Sequence, residues 1–285
     1  MLTSTLSPLA EFWTERLQLL VQSVGLQLVW IIAPLAAFAL LFHGIEVIVQ
    51  RRLIQRFGWN AALWTGWIGT PIHEASHVVM CWLFGHEIES VALFAPDMQE
   101  GRLGYVRHTY HRGSWWQESG NFFIGIAPLI GGATVLLLVT WAMYPQLVEA
   151  FLTMSRNQEN SATLDWNTVQ SVGPTAWNLL ITTFSLGSLK FWLYLYLVLC
   201  ITLHAAPSAR DYHGGLKGGA ILLGVWLSLN VVHATFGLSV SDWFPIFQPL
   251  WLLLLALLGL AAIVSGLVGA LVYFVTLGWD QLRRA

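Results

Sequence analysis

The chain has 285 residues, of which 56% are hydrophobic and only 10% are charged, and its formal net charge is -2. Soluble domains carry roughly 25% charged residues, so this composition excludes an ordinary soluble domain and indicates a protein embedded in the lipid bilayer. Sixteen tryptophans and seven tyrosines fit aromatic belts at the two membrane surfaces. The near-neutral charge gives no reason to expect nucleic acid as a partner.

The apolar residues group into about six stretches of roughly 20 residues or more, the length that an α-helix needs to cross a bilayer. We therefore predict an all-α polytopic membrane protein in which residues 1–285 form a single integral membrane domain. The N-terminal residues lack a basic segment followed by a short apolar core, so no cleavable signal peptide is expected. The predicted transmembrane helices cover approximately residues 24–49, 61–85, 119–144, 178–204, 219–238 and 246–276.

Two polar segments separate predicted helices. Residues 86–114 contain the pieces Ile88–Phe94 and Leu103–Tyr110 on either side of a turn with Pro and Gly, which predicts a β-hairpin. Residues 145–174 are rich in Asn, Ser and Thr and predict the one sizeable soluble loop. The hairpin segment carries Arg102, Arg107 and Arg112, and the loop segment is acidic. The positive-inside rule therefore places the hairpin in the cytoplasm and the 145–174 loop outside it.

The segment His73-Glu74-Ala75-Ser76-His77 reads H-E-x-x-H within an apolar stretch. Residues four apart share one face of a helix, so the two imidazoles can bind one Zn²⁺ ion. Glu74 lies beside them and can act as general base toward a water on the metal. At the chain's His and Glu frequencies, about 0.01 such matches are expected by chance. The competing interpretation is that both histidines only form hydrogen bonds inside a helix bundle.

Catalytic zinc normally has three protein ligands and a water, so a third ligand is expected elsewhere in the chain. Asp211 is the first candidate, because it is an acid at the end of a span that can pack against the motif helix. Ser208 and Asp211 also fit a capping box, in which Asp211 would only accept a backbone N–H. His204 and Cys81 are the other candidates, as an imidazole and a thiol in or beside apolar helices.

The basic residues give one conflicting signal about orientation. The cluster Arg51, Arg52 and Arg56 lies just before the second span, on the side that the alternation of later spans places outside. Thr70-Pro71 offers a solution, since Thr at an N-cap and Pro at the first helical position are typical of a helix start. The motif helix would then be short or re-entrant.

These features together resemble the site-2 protease family of intramembrane zinc metalloproteases. The resemblance covers approximately residues 61–215 and rests on the order of the H-E-x-x-H helix, the hairpin, a Gly- and Pro-rich span, an extracytoplasmic loop and a span that ends near an Asp. It implies that His73, His77 and Asp211 bind zinc and that Glu74 is the general base. It also implies that the 86–114 hairpin is membrane-associated and presents a transmembrane protein substrate as an added strand.

Asn121 lies in the Gly- and Pro-rich span and resembles the intramembrane Asn with which that family orients the substrate or the oxyanion. A polar amide at this depth is costly unless it is used, so catalysis is one expected role. A hydrogen bond that holds two helices together is the other.

A function from a different class is also compatible with the sequence. The chain would then be a membrane transporter, channel or assembly subunit with a structural metal site, using His43, Glu46, Lys190 and Asp211 as polar sites in the membrane. A metal with three protein ligands and a water favours the hydrolase, whereas four protein ligands favour the structural role. For the hydrolase, we expect a multi-pass protein of a bacterial cytoplasmic membrane. The oligomeric state is left open.

Overall fold

The computed structural model describes residues 8–156, 174, 178–179, 181–238 and 244–284, and this part of the chain is mostly helical. A π-helical segment, Leu28–Ile32, joins the first two helices, and a short 3₁₀ turn, Trp59–Ala62, precedes the third. The helices are α1 (Pro8–Gln27), α2 (Ala33–Phe57), α3 (Leu63–Phe84), α4 (Trp115–Gly125), α5 (Ala127–Met143), α6 (Pro145–Arg156), α7 (Leu189–Thr202), α8 (Ala209–Thr235) and α9 (Phe244–Arg284).

Three of the described helical stretches are long and apolar enough to cross a membrane, namely Ala10–Phe57, Gly215–Thr235 and Leu250–Gly278. Helices α4 and α5 make a fourth if they count as one span, although the chain bends by 59° between them. These helices support a membrane protein. The predicted number of six spans is not confirmed in the described residues. Helix α7 has only 14 residues, and α3, with 22 residues, is not apolar enough to count as a span.

Helix α3 runs without interruption from Leu63 to Phe84, with Pro71 inside it. The prediction that a helix starts at Thr70-Pro71 is therefore wrong. Proline removes one backbone N–H from the helix, which costs stability but does not end a helix that its neighbours hold in place. Here α7 packs closely at Gly69, where an added Cβ would meet the carbonyl oxygen of Cys200. The motif helix is thus a full helix between α5 and α7 rather than a short re-entrant one.

The hydrophobic core lies among α2, α5, α6, α7 and α9 and includes Phe42, Leu136, Val198 and Leu257. Helix α6 also contributes Leu147, which is 1% exposed. The prediction of a soluble loop at 145–174 is therefore wrong for residues 145–156, because the apolar side of this helix packs in the core. Residues 157–173 lie outside the described part of the chain.

A two-stranded antiparallel sheet lies between α3 and α4. Its strands are β1 (Glu87–Ala92) and β2 (Tyr105–Thr109), with Val91 opposite Val106. The pairing continues into the turn, where the Ala95 N–H donates to the Leu103 carbonyl oxygen over 2.6 Å. The sheet contacts α3, so the segment after β1 returns across the helix that carries the H-E-x-x-H motif. Association of this sheet with the membrane stays a prediction.

Candidate metal centre

The periodicity of α3 brings the polar residues of the motif to a buried position. His77 is 6% exposed and Glu74 is 8% exposed. The Nε2 atoms of His73 and His77 lie 3.2 Å apart, as expected for residues four positions apart on one helix face. Two imidazoles that converge in this way need a partner for their ring nitrogens, since buried polar groups are rarely left unsatisfied.

The outer nitrogen of each imidazole has a backbone partner. His73 Nδ1 lies 2.7 Å from the His204 carbonyl oxygen, and His77 Nδ1 lies 2.9 Å from that of Ile124. A carbonyl oxygen only accepts hydrogen bonds, so both Nδ1 atoms carry the hydrogen and act as donors. In the neutral rings, both Nε2 atoms then present lone pairs to each other. This is the orientation that metal-binding histidines adopt when their second nitrogen is held by a backbone carbonyl.

Asp211, in the first turn of α8, completes the group. Its Oδ1 lies 3.4 Å from His77 Nε2, and its Oδ2 lies 3.7 Å from His73 Nε2. One ligand atom from each of the three residues lies within 4.8 Å of the others. Tetrahedral zinc with bonds of 2.0–2.1 Å requires its ligand atoms to lie about 3.3–3.4 Å apart. The three side chains therefore fit a zinc ion with small adjustments.

Asp211 also has the capping role that its sequence predicts. The Ser208 N–H donates to Asp211 Oδ2 over 2.6 Å, and the two residues form the capping box of α8. The two roles are compatible, because a carboxylate has two oxygens and four lone-pair sites. The cap fixes the carboxylate at the start of α8, with Oδ1 toward His77.

Helix α4 contacts both α3, which carries the two histidines, and α8, which carries Asp211. It supplies the Ile124 carbonyl oxygen to His77, and it packs against α8 through Gly125, where an added Cβ would lie 2.6 Å from the Asp211 carbonyl oxygen. The Lys217 ammonium of α8 bonds Glu118 of α4 over 2.8 Å. These contacts place the helix that carries Asp211 next to the helix that carries the histidines. The backbone carbonyls have no sequence signal, because every residue has one.

The other candidate ligands are placed differently. The His204 side chain bonds the Cys200 carbonyl oxygen through Nδ1 over 3.1 Å, and its backbone carbonyl oxygen bonds His73. Cys81 is fully buried and, like the His204 side chain, is not in the metal-ligand group found among the described residues. Asn121 is buried in α4, and its amide nitrogen lies 3.4 Å from the carbonyl oxygens of Gln117 and Glu118 in its own helix. These weak local bonds assign it neither to catalysis nor to helix contacts.

Further acids lie near the centre. The carboxyl groups of Glu46 and Glu74 are both within electrostatic range of Asp211. The other polar residues of the transporter hypothesis have partners of their own. His43 pairs locally with Glu46 at 3.9 Å, and the Lys190 ammonium lies over the Tyr144 ring.

A second histidine pair lies at the base of the sheet. His86 Nδ1 and His108 Nδ1 are 3.0 Å apart, and His86 Nε2 lies 2.8 Å from the Gln117 carbonyl oxygen. Burial lowers the pKa of both imidazoles, and for His108 the neighbouring His86 lowers it further. Both rings are therefore favoured in the neutral form.

Comparison with known proteins adds no relative. No protein-family model matches the chain, and searches of curated proteins and of solved structures find no match. The resemblance to site-2 proteases therefore stays a prediction from the sequence.

Proposed function

We propose that the chain is an intramembrane zinc metalloprotease that hydrolyses peptide bonds of membrane-protein substrates. The observation that carries this proposal is the convergence of three acceptors, the Nε2 atoms of His73 and His77 and the carboxylate of Asp211. Lone pairs at these distances repel each other unless a proton or a cation lies between them. A zinc ion satisfies all three at once, and these residue types are its usual protein ligands.

His73, His77 and Asp211 would hold the zinc ion. When bound, the ion would supply a Lewis acid that activates water and polarises a carbonyl group. Glu74 follows His73 directly and is buried beside the two histidines, so it would take the proton from the attacking water and return it to the leaving amine. The His204 and Ile124 carbonyl oxygens keep the imidazoles oriented throughout.

The number of ligands favours hydrolysis over a structural metal site. The described residues offer three ligand atoms to the ion, which leaves the fourth tetrahedral position for water or substrate. A transporter, channel or assembly subunit with a structural metal would be expected to close that position with a fourth protein ligand. This second function remains the alternative.

The two-stranded sheet offers an edge to which a substrate peptide in extended conformation binds. A helix hides its carbonyl groups in its own hydrogen bonds, so a transmembrane substrate must unwind before cleavage. The sheet has only two described strands, and each therefore has an outer edge without a described partner strand. Such an edge accepts an added strand from a peptide.

We place the protein in a bacterial cytoplasmic membrane as a multi-pass protein, with the sheet on the cytoplasmic side.

The test is Glu74→Gln in full-length protein reconstituted in liposomes with a transmembrane reporter peptide. Removal of the base alone should leave zinc content and thermal stability near those of the wild type and reduce cleavage by a factor of about 10² or more. Glu149→Gln, an exposed residue of α6, is the matched control and should cleave like the wild type. Wild-type turnover by Glu74→Gln would refute the protease.

A further inference from the structure

Thr70 is a buried side chain with an unsatisfied hydroxyl group. It is 5% exposed, and its Oγ1 has no hydrogen-bond partner in the described structure. Threonines elsewhere in the helices bond the carbonyl oxygen four residues earlier, as Thr134, Thr140 and Thr202 do over 2.7–2.8 Å. A buried hydroxyl without a partner destabilises the resting protein, so its presence calls for a ligand that the resting structure lacks.

The position of Thr70 connects it to the metal centre. It lies four residues before Glu74, so the two side chains share one face of α3. The backbone at Gly104, just before β2, crosses between them, and a Cβ added there would lie 2.9 Å from both Thr70 Cγ2 and Glu74 Cγ. The chain just before β2 therefore packs against the methyl group of Thr70 and the side chain of Glu74 together. The Thr70 hydroxyl lies on the side of Gly66, where Leu103 Cδ1 and His204 Nε2 are the other nearest side-chain atoms.

We propose that the Thr70 hydroxyl binds the main chain of the substrate by donating a hydrogen bond to a carbonyl oxygen one or two residues from the scissile bond. The distance follows from geometry, because one helical turn is about 5.4 Å and an extended chain advances about 3.3 Å per residue. A substrate strand that runs along α3 across Glu74 thus brings a peptide group to Thr70. In a membrane, an unwound peptide needs a partner for each exposed carbonyl oxygen, and Thr70 supplies one. This inference rests on the proposed protease function.

The substitution Thr70→Val tests the hydroxyl group, because valine keeps the shape and removes only the polar atom. We would measure binding of the uncleaved reporter peptide to Glu74→Gln protein with and without Thr70→Val, by fluorescence anisotropy in liposomes. Loss of one hydrogen bond should raise the Kd about tenfold. Thr70→Ser should restore the affinity. Thr134→Val, on the exposed side of α5, is the matched control and should bind like the parent.

Thermal unfolding separates this role from a structural one. Thr70→Val should unfold at the same or a higher temperature than the parent, because it removes an unsatisfied buried group. A lower unfolding temperature would show that the hydroxyl already has a partner, and an unchanged Kd would show that the substrate does not use it. Either result overturns the inference. If the wild type still cleaves the reporter and Glu74→Gln does not, the protease function survives that failure.

Discussion

Two histidine pairs with similar nitrogen separations behave differently in this protein. In the pair of α3, His73 and His77, both outer nitrogens donate to backbone carbonyls, and the inner nitrogens, 3.2 Å apart, both present lone pairs. In the pair at the sheet, His86 donates through Nε2 to Gln117, so its Nδ1 accepts a hydrogen bond from His108 Nδ1 over 3.0 Å. The second pair is satisfied by one hydrogen between its rings, and the first is not.

The difference shows that proximity of two imidazoles does not make a metal site. What distinguishes the α3 pair is the direction of its lone pairs, set by two backbone carbonyls, and the carboxylate of Asp211 opposite them. Among the described residues, no third ligand joins the sheet pair. We therefore expect zinc at the first pair and a neutral hydrogen bond at the second.

The largest expected effect contrasts the two pairs directly. His77→Ala should lower zinc affinity at least about 100-fold, since loss of a ligand costs no less than loss of a second-shell partner. His108→Ala should keep full zinc occupancy, because its partner His86 binds no metal in this interpretation. Elemental analysis of purified protein after dialysis measures both. Equal zinc loss in the two variants would show that the pairs are not distinct.

A second prediction isolates the carboxylate that the sheet pair lacks. Asp211→Asn should reduce zinc affinity about 10- to 100-fold, because it removes the charge opposite the two imidazoles. Ser208→Ala changes only the cap of α8, so it should lower the free energy of unfolding by about 1 kcal/mol and leave zinc bound. Competition with a chromogenic chelator gives the affinities, and denaturant unfolding gives the stability. Equal zinc affinity in the two variants would show that Asp211 only caps α8 and does not bind zinc.

The smallest effect concerns pH and the sheet pair. The pKa of His86 and that of His108 are lowered in the folded protein by burial, so the unfolded segment binds protons more readily. The stability from this pair is complete above the unfolded pKa near 6.5 and is lost as the pH falls from there through the lowered pKa values. Amide hydrogen exchange in β2 should therefore accelerate several-fold between pH 7.5 and pH 5.5, after correction for intrinsic rates.

The double variant His86→Gln, His108→Gln is the control for that experiment, because glutamine does not titrate in this range. Its exchange in β2 should depend on pH much less than that of the wild type. Equal corrected protection of β2 in the wild-type protein at both pH values would show that protonation of His86 and His108 does not destabilise the sheet.

The local features of this protein follow from its sequence. The low charge content predicts a membrane protein, and the helices Ala10–Phe57, Gly215–Thr235 and Leu250–Gly278 are long and apolar enough to span one. The spacing of His73 and His77 predicts two imidazoles on one helix face, because helical periodicity is a property of neighbouring residues. The six spans expected from composition are not confirmed, since apolar stretches such as 178–204 do not form one long helix in the described residues.

Only the tertiary structure decided which residues meet. Asp211 reaches His77 across 134 residues of chain because α4 packs against both α3 and α8, and no local pattern encodes that packing. The carbonyl oxygens of His204 and Ile124 are identical in sequence terms to every other carbonyl. The sequence also presented Asp211 as either a ligand or a cap. The fold permits both, because a carboxylate has two oxygens and packing directs one to Ser208 and the other to His77.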